Sequence, residues 1–372
     1  MPEPDTICGY TLSDVRRELR DSIDRRERRA ANRWTAELVA TPGAVGSLWA
    51  SYWLAWAVAQ GAGSPSPVLP ILLKQSWVSI AAAAHGHADA AGHSAEGWRQ
   101  FRNDPKVRSI AAEMTARLLG QSRQTPVVWP SREITIYDVS TMREAAPPAA
   151  ADSEVVLRVW QRGDDHMEIR LMAGRWIAAL EAGELRTALS AVAWTLLPQQ
   201  YQSLPQPLRL AERGPASLPA KQRASPVWFW LDLGKALLAS RGAELHRGWA
   251  TFHTAVADAF RLNWKRWTSV DRMRMLLAWI LQIRAALPQG SQDHTAEMWV
   301  APPLQLAITE IDLPYKEIAA ELQNPDAIVQ RAPPKPSQMV ADEKKAAAAR
   351  MEAKMAGADA AVLAAMGLDD DD

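Results

Sequence analysis

The chain has 372 residues, more than one hydrophobic core usually serves, so two domains are expected. Its formal net charge is +0, which excludes a global electrostatic field that would recruit nucleic acid or a membrane surface. Cys8 is the single cysteine, which excludes a disulfide within the chain and indicates a reducing, intracellular compartment.

Residues 10–39 carry the first helical pattern. Thr11 is suited to cap a helix, because its hydroxyl can accept a hydrogen bond from an amide of the first turn. Val15, Leu19 and Ile23 recur every four residues and therefore share one face. The charged run DRRERR interrupts that face before a second apolar stripe begins. The pattern predicts two helices folded back on each other, which need helical neighbours to cover their apolar sides.

Three more helices are predicted before residue 121. They cover 46–60, 68–85 and a stretch that begins at Asp104 and Pro105 and ends at Gly120. Residues 85–97 are expected to form a polar connector. Residues 38–73 carry no charge, so a membrane span is an alternative to a buried bundle helix. We favour the buried helix, because turn residues on both sides leave an apolar piece too short to cross a bilayer.

The order of these elements resembles a known domain. The hairpin reads Y-T-L-x-x-V-x-x-x-L-x-x-x-I-x-R and then A-x-x-W-x-x-E-L, followed by a Trp-rich helix, a loop, an apolar helix and an Ala/Leu helix that ends near Ser122 and Arg123. It is similar to the helical collar that follows the ATPase core in clamp-loader-type AAA+ proteins of the MgsA and Werner-helicase-interacting group. Similar modules without that core occur in uncharacterised proteins of large DNA viruses. The resemblance covers residues 10–143 and implies oligomerisation and the holding of partners.

The chain departs from this family in two ways. Residues 59–63 read AQGAG where the family usually carries an S-E-D-I-G-like motif. The nucleotide-binding motif G-x-x-x-x-G-K-[ST] is absent, because Gly234 and Lys235 have neither the upstream glycine nor the following hydroxyl. ATPase activity is therefore not expected to carry over.

The opening hairpin is predicted to return later in the chain. Position 172 lies 157 residues after position 15, and at this constant offset apolar positions coincide. The coinciding pairs are Val15 with Met172, Leu19 with Trp176, Ile23 with Leu180, Ala31 with Ala188, and Val39 with Leu196. A Trp-rich helix and two further helices then follow in the same order, the last opened by Asp271 as its cap. The pattern indicates an internal duplication.

We therefore predict an all-α protein of two tandem, collar-like helical bundles with irregular Pro-rich arms. The predicted parts are a flexible N-terminus at 1–9, a first bundle at 10–144, a linker at 145–152, a second bundle at 153–330, and a tail at 331–372. The tail combines a linker, an Ala-rich helix and an acidic, disordered end.

Few residues indicate chemistry. His85, Asp89 and His93 have the helical spacing of metal ligands, but Gly86 and Gly92 argue against a rigid helix, so we favour a solvated connector. No catalytic motif or carboxylate pair in an apolar setting is present, and we predict no catalytic residue, no cofactor, no metal and no small-molecule substrate.

Two basic stretches could contact nucleic acid. Their residues are Arg25, Arg26 and Arg29 in the hairpin tip, and Trp264, Lys265, Arg266 and Trp267 farther on. Cations beside indoles suit phosphate contact with base stacking, but they equally suit a helix end whose tryptophans are buried. We favour the structural interpretation for the second stretch and internal pairing for the first.

The sequence thus favours a non-catalytic scaffold or oligomerisation protein, of a large DNA virus by resemblance, that binds itself or replication or virion proteins in the host cell or virion. The alternative is a DNA-associated accessory factor of replication or repair. Neither interpretation involves a membrane.

Overall fold

The computed structural model describes residues 6–59, 68–91, 95–121, 153–196, 210–241, 243–287 and 312–323. Over these residues every regular element is a helix, and an isolated β-bridge joins Arg162 and Asp165. The all-α fold class is therefore confirmed. No helix in the described ranges is long and apolar enough to cross a membrane.

The described part of the first half contains six helices. They are α1 (Leu12–Arg25), α2 (Arg28–Ala40), α3 (Val45–Ala59), α4 (Val68–Ala91), α5 (Ala95–Asn103) and α6 (Pro105–Leu119). Two of them begin as predicted. The Thr11 hydroxyl accepts a hydrogen bond from the Asp14 amide at 3.2 Å, and the Asp104 carboxylate accepts one from the Lys106 amide at 2.8 Å. Each cap satisfies an amide that has no partner within its own helix.

The connector predicted after His85 is corrected. The helix α4 continues through Gly86 to Ala91, because one interior glycine costs a helix only about 1 kcal/mol relative to alanine. A separate helix, α5, then occupies part of the same stretch. It is anchored by Phe101, which is buried and meets Trp98 edge-on with ring centroids 5.5 Å apart.

Eight helices follow in the described part of the second half. They are α7 (Glu154–Val159), α8 (Met167–Glu181), α9 (Leu185–Leu196), α10 (Ala220–Arg223), α11 (Pro226–Ser240), α12 (Ala243–Asn263), α13 (Ser269–Ala286) and α14 (Asp312–Gln323). The cap predicted for α13 is corrected. Thr268 is the cap, and Asp271 lies at the third helical position, where its carboxylate accepts a hydrogen bond from the Thr268 amide at 3.0 Å. This reciprocal capping box satisfies both amides.

The two hairpins, α1–α2 and α8–α9, turn in the same way at the predicted offset. Arg26 and Gly183 lie 157 residues apart and both adopt a left-handed conformation, with φ of 60° and 75°. In both turns the next amide donates to the carbonyl five residues earlier. These bonds join Glu27 N to Ser22 O and Glu184 N to Ala179 O, each at 2.8 Å. Both hairpins therefore end their first helix with the same capping motif.

The neighbours of the helices also correspond between the halves. In the first half α1–α2, α1–α3, α2–α3, α2–α6, α3–α4, α3–α6 and α4–α6 are in contact. Their counterparts α8–α9, α8–α11, α9–α11, α9–α13, α11–α12, α11–α13 and α12–α13 are in contact as well. This similarity of topology agrees with the predicted repeat, while a duplication of the gene stays a prediction.

The two halves pack directly against each other. Helix α13 lies on α3, and α12 lies on α4. The Trp267 indole donates a hydrogen bond to the Ala50 carbonyl of α3 at 3.3 Å, and the Lys74 ammonium pairs with the Asp258 carboxylate at 2.7 Å. Buried apolar residues form one contiguous cluster that includes both halves. The predicted linker at 145–152 and the tail at 331–372 lie outside the described residues.

Tryptophan fills this core where small residues leave room. Six indoles are almost completely buried, namely those of Trp49, Trp56, Trp176, Trp194, Trp230 and Trp279. Trp176 and Trp279 stack with ring centroids 6.0 Å apart. Trp279 also lies directly against the backbone of Gly234 in α11, where an added Cβ would overlap its ring. The glycine is needed because α11 and α13 approach each other closely there.

This close approach can be tested with a pair of helical glycines. We expect Gly234→Ala to lower the free energy of unfolding by about 1–3 kcal/mol or more, because the new methyl group overpacks the core. Gly248→Ala in α12 has open space around its Cβ and should raise the same quantity by up to about 1 kcal/mol. Chemical denaturation of both variants measures the difference. Equal effects would contradict the contact between Gly234 and Trp279.

Candidate protein-interaction site

The helix α14 lies across the first half of the chain, against α2 and beside α6. It is packed through the buried Pro314 and through two larger anchors, Tyr315 and Ile318, which are 9% and 3% exposed. Leu313 and Leu322 remain outside at 50% and 37% exposure. The helix therefore contacts the bundle along one narrow face, and polar side chains supply the rest of its contacts.

Three arginines of the first half bind three carboxylates of α14. The pairs are Arg108 with Asp312 at 2.9 Å, Arg29 with Glu317 at 2.8 Å, and Arg33 with Glu321 at 2.7 Å. We call the surface that carries these arginines the α14-binding face. Arg29 and Arg33 are one helical turn apart on α2, as are Glu317 and Glu321 on α14, so the two rows of charge match.

Arg108 also forms a socket for an aromatic ring. Its guanidinium lies 4.0 Å from the centroid of the Tyr315 ring, which is the geometry of a cation–π contact. The first half of the chain holds this guanidinium in place, because it donates to the Arg102 carbonyl at 2.7 Å and to the Asn103 side-chain oxygen at 2.6 Å. Such a held guanidinium can select a planar ring as well as a carboxylate.

Arg33 links this face to a buried carboxylate. Glu37 is 0% exposed, and its two oxygens accept from Arg33 at 2.8 Å and from the Cys8 amide at 2.9 Å. The second terminal nitrogen of Arg33 reaches Glu321. One guanidinium therefore connects α2 to α14, while Glu37 holds the N-terminal segment.

The N-terminal segment differs from its prediction. Thr6 and Cys8 were expected to lie in a flexible terminus, but they are buried at 5% and 2% exposure. The hydrogen bond from the Cys8 amide to Glu37 accounts for this order. Burial and then the negative charge of Glu37 raise the pKa of the Cys8 thiol well above its usual range, so the thiol stays protonated and unreactive.

A similar arginine socket is present in the second half. Arg272 stands four residues after the cap of α13, as Arg108 stands four residues after the cap of α6. Its guanidinium lies 4.7 Å from the Trp264 ring centroid and donates to the carbonyls of Trp264 and Trp267 at 3.0 and 2.7 Å. The aromatic ring comes from the turn that follows α12 in this case, whereas the ring on Arg108 comes from α14.

The two tryptophans predicted to stack on bases are core residues. Trp264 is 5% exposed and stacks on Trp228 with centroids 5.2 Å apart, and Trp267 is 2% exposed against Phe260. Their faces are therefore occupied by other side chains. Base stacking is the alternative for this stretch, and the burial of both indoles supports the structural interpretation that the sequence favours.

The other residues predicted to contact nucleic acid lie at two separate places. Lys265 and Arg266 are exposed, and Arg16 of α1 donates to the Arg266 carbonyl at 3.2 Å. Arg26 lies ten residues after Arg16 along α1, which corresponds to about 15 Å of helix. The structure therefore does not bring the two basic stretches together.

The cations of the hairpin tip have partners within the chain. Arg25 binds both oxygens of Glu27, at 2.9 and 3.1 Å, and Arg26 donates to the Gln121 carbonyl at 2.7 Å. Arg29 is 83% exposed and binds Glu317 of α14. Internal pairing therefore uses much of the hydrogen-bonding capacity of this tip, although its positive charges remain at the surface.

A second concave feature lies where α1, α3 and α13 meet. This groove has a volume of about 400 Å³, and Leu54 and Leu277 contribute to its lining. Arg20 and Arg274 lie beside Asp24 at the same groove. Both signs of charge are present, so the groove is not built as an anion site.

The predicted metal ligands remain untested. His93 lies outside the described residues, and the side chains of His85 and Asp89 are not described either. Among the described residues no group of three or more His, Cys, Asp or Glu side chains could hold a metal ion.

Comparison with other proteins gives no match, whether against protein-family models, curated proteins or solved structures. The collar resemblance therefore stays a prediction that depends on its motifs.

The contribution of the buried Glu37 carboxylate to stability can be compared with that of the more exposed Glu321 carboxylate. We expect Glu37→Gln to lower the free energy of unfolding by about 3 kcal/mol, because it leaves the buried Arg33 charge without its enclosed partner. Glu321→Gln should cost at most about 1 kcal/mol, since that pair is partly open to solvent. Urea denaturation measures both changes. A cost for Glu37→Gln no greater than that for Glu321→Gln would show that Glu37 does not organise the site.

Proposed function

We propose that the chain is a non-catalytic helical scaffold that binds copies of itself or other proteins through its helical faces. Following the collar resemblance, its partners would be replication or virion proteins of a large DNA virus. The observation that supports this proposal is the contact between α14 and the α14-binding face. There the side chains bind a helix by two buried anchors and three ion pairs, which is the chemistry of holding a protein element in place.

The ion pairs of the α14-binding face differ in their exposure to solvent and therefore contribute to helix binding in different ways. The rim pair of Arg29 with Glu317 is exposed and contributes mainly to orientation, while the Arg33 pair is partly desolvated. Tyr315 provides a large apolar area with a single polar end. Aromatic and arginine residues of this kind dominate the energy of protein–protein interfaces.

Size-exclusion chromatography with light scattering tests the scaffold proposal. At micromolar concentration we expect a mass that is a multiple of the 41.0 kDa chain, or a complex with a co-purifying protein. A self-associated species should lose mass on dilution, because association depends on protomer concentration. A strict monomer without any partner would refute the proposal.

A DNA-associated accessory factor is the second candidate function. It is favoured by the exposed Lys265 and Arg266 and by Arg16, which donates to the Arg266 carbonyl although these segments are far apart in sequence. Cations that converge on one surface can bind phosphates without reading the base sequence.

A gel shift at several salt concentrations tests this candidate. The double variant Lys265→Ala with Arg266→Ala should weaken binding and reduce the slope of log K against log salt by about 2, because two phosphate contacts are lost. The double variant Lys221→Ala with Lys316→Ala removes two exposed charges elsewhere and should bind DNA as the unaltered chain does. No shift at low salt would eliminate the candidate.

A further inference from the structure

We propose that the α14-binding face is a recognition site for an acidic amphipathic helix of another protein, and that α14 is its resident competitor. This inference rests on the proposed function, since it assumes that the chain works by holding helices. It goes further by naming the face, the chemistry of the partner and the element that controls access.

The bound α14 defines the pattern that the face accepts. Tyr315 enters the Arg108 socket and Ile318 is buried one turn later. Carboxylates stand three residues before the tyrosine and two and six residues after it, and each meets an arginine. The described interaction therefore reads D-x-x-Y-x-E-I-x-x-E over residues 312–321. A partner helix with an aromatic anchor, an aliphatic anchor and these carboxylates would make the same contacts.

The face itself does not depend on α14 for its shape. Arg108 is held by Arg102 and Asn103 of the first half, and Arg33 is held by Glu37. Arg108 and Arg33 are therefore directed outward before any helix binds, and this preorganisation lowers the cost of binding. The negative charge on the partner is required, because vacating the face would remove the α14 carboxylates from Arg29 and Arg108 and leave Arg33 with Glu37 alone.

The contact between α14 and the α14-binding face is weak enough for another helix to displace α14. Its buried side chains are the anchors Tyr315 and Ile318 and the small ring of Pro314, and the Arg29 pair is exposed to solvent. By contrast, the Arg272 socket is filled by Trp264 in the turn after α12, and this indole is part of the continuous core. A helix on the same chain competes at an effective concentration that an external helix must overcome. The resident α14 thus sets a threshold that selects partners of higher affinity.

Fluorescence anisotropy with a labelled synthetic peptide of residues 310–324 tests the inference on the full-length chain. The double variant Tyr315→Ala with Ile318→Ala removes both anchors of the resident helix and leaves the face intact. We expect the peptide to bind this variant at least tenfold more tightly than it binds the wild-type chain, because competition is removed. The matched variant Leu313→Ala with Leu322→Ala alters the exposed side of α14 and should behave as wild type.

A charge exchange identifies the face. In the background of Tyr315→Ala with Ile318→Ala, Arg29→Glu should lower the affinity for the peptide about fivefold, because it places a like charge opposite Glu317 of the peptide. A peptide with Glu317→Arg should restore most of that loss on the Arg29→Glu chain. Arg29 is 83% exposed, so this substitution is expected to leave the fold intact, and circular dichroism and thermal unfolding verify it.

Two results would overturn the inference. One is a folded anchor variant that does not bind the peptide, and the other is a wild-type chain that binds it as tightly as the anchor variant does. Both readouts are independent of the mass measured by light scattering. A monomer that binds the peptide with the expected competition would end the self-association proposal alone, and an oligomer that does not bind it would end this inference alone.

Discussion

The guanidinium of Arg33 is the constraint on which the candidate site depends. It is 13% exposed and lies between Glu37, which is completely buried, and Glu321 on α14. A buried charge is stable only when its partners compensate for the lost water. The first helices, the N-terminal segment and the last described helix therefore meet at one ion-pair network, and the orientation of the α14-binding face follows from it.

The surrounding architecture supplies a stable base for that network. Helices α12 and α13 of the second half pack on α3 and α4 of the first, and buried indoles extend across this junction. Trp267 belongs to this packing, as its indole binds a carbonyl of α3. Rigid packing matters for a holding function, because a face that deforms would lose its complementarity to a bound helix.

Local sequence patterns were sufficient to predict much of the fold. The spacing of Val15, Leu19 and Ile23 and the Thr11 cap predicted the first hairpin, and these three apolar residues are buried. The offset of 157 residues predicted the second hairpin, whose turn repeats the first in conformation and hydrogen bonding. These features succeed because helix periodicity and capping depend on residues only a few positions apart.

The parts that sequence reasoning missed depend on distant residues or on small energies. Gly86 was expected to loosen a helix, but its cost is small enough for the helix to continue. The sequence favoured burial of Trp264 but left exposure open, since cations flank indoles in both cases. The pairing of Arg29 with Glu317 joins positions 288 residues apart, and its only local signal is the matching one-turn spacing on α2 and α14.

The central claim is that α14 is a folded helix held by the first half and separable from it. Hydrogen–deuterium exchange of residues 312–323, measured in the wild-type chain and in the Tyr315→Ala variant, tests it most directly. The account predicts slow exchange in the wild type and fast exchange of α14 in the variant, while α1 and α2 stay protected. Fast exchange of α14 in the wild type, or loss of protection throughout the first half of the variant, would contradict it.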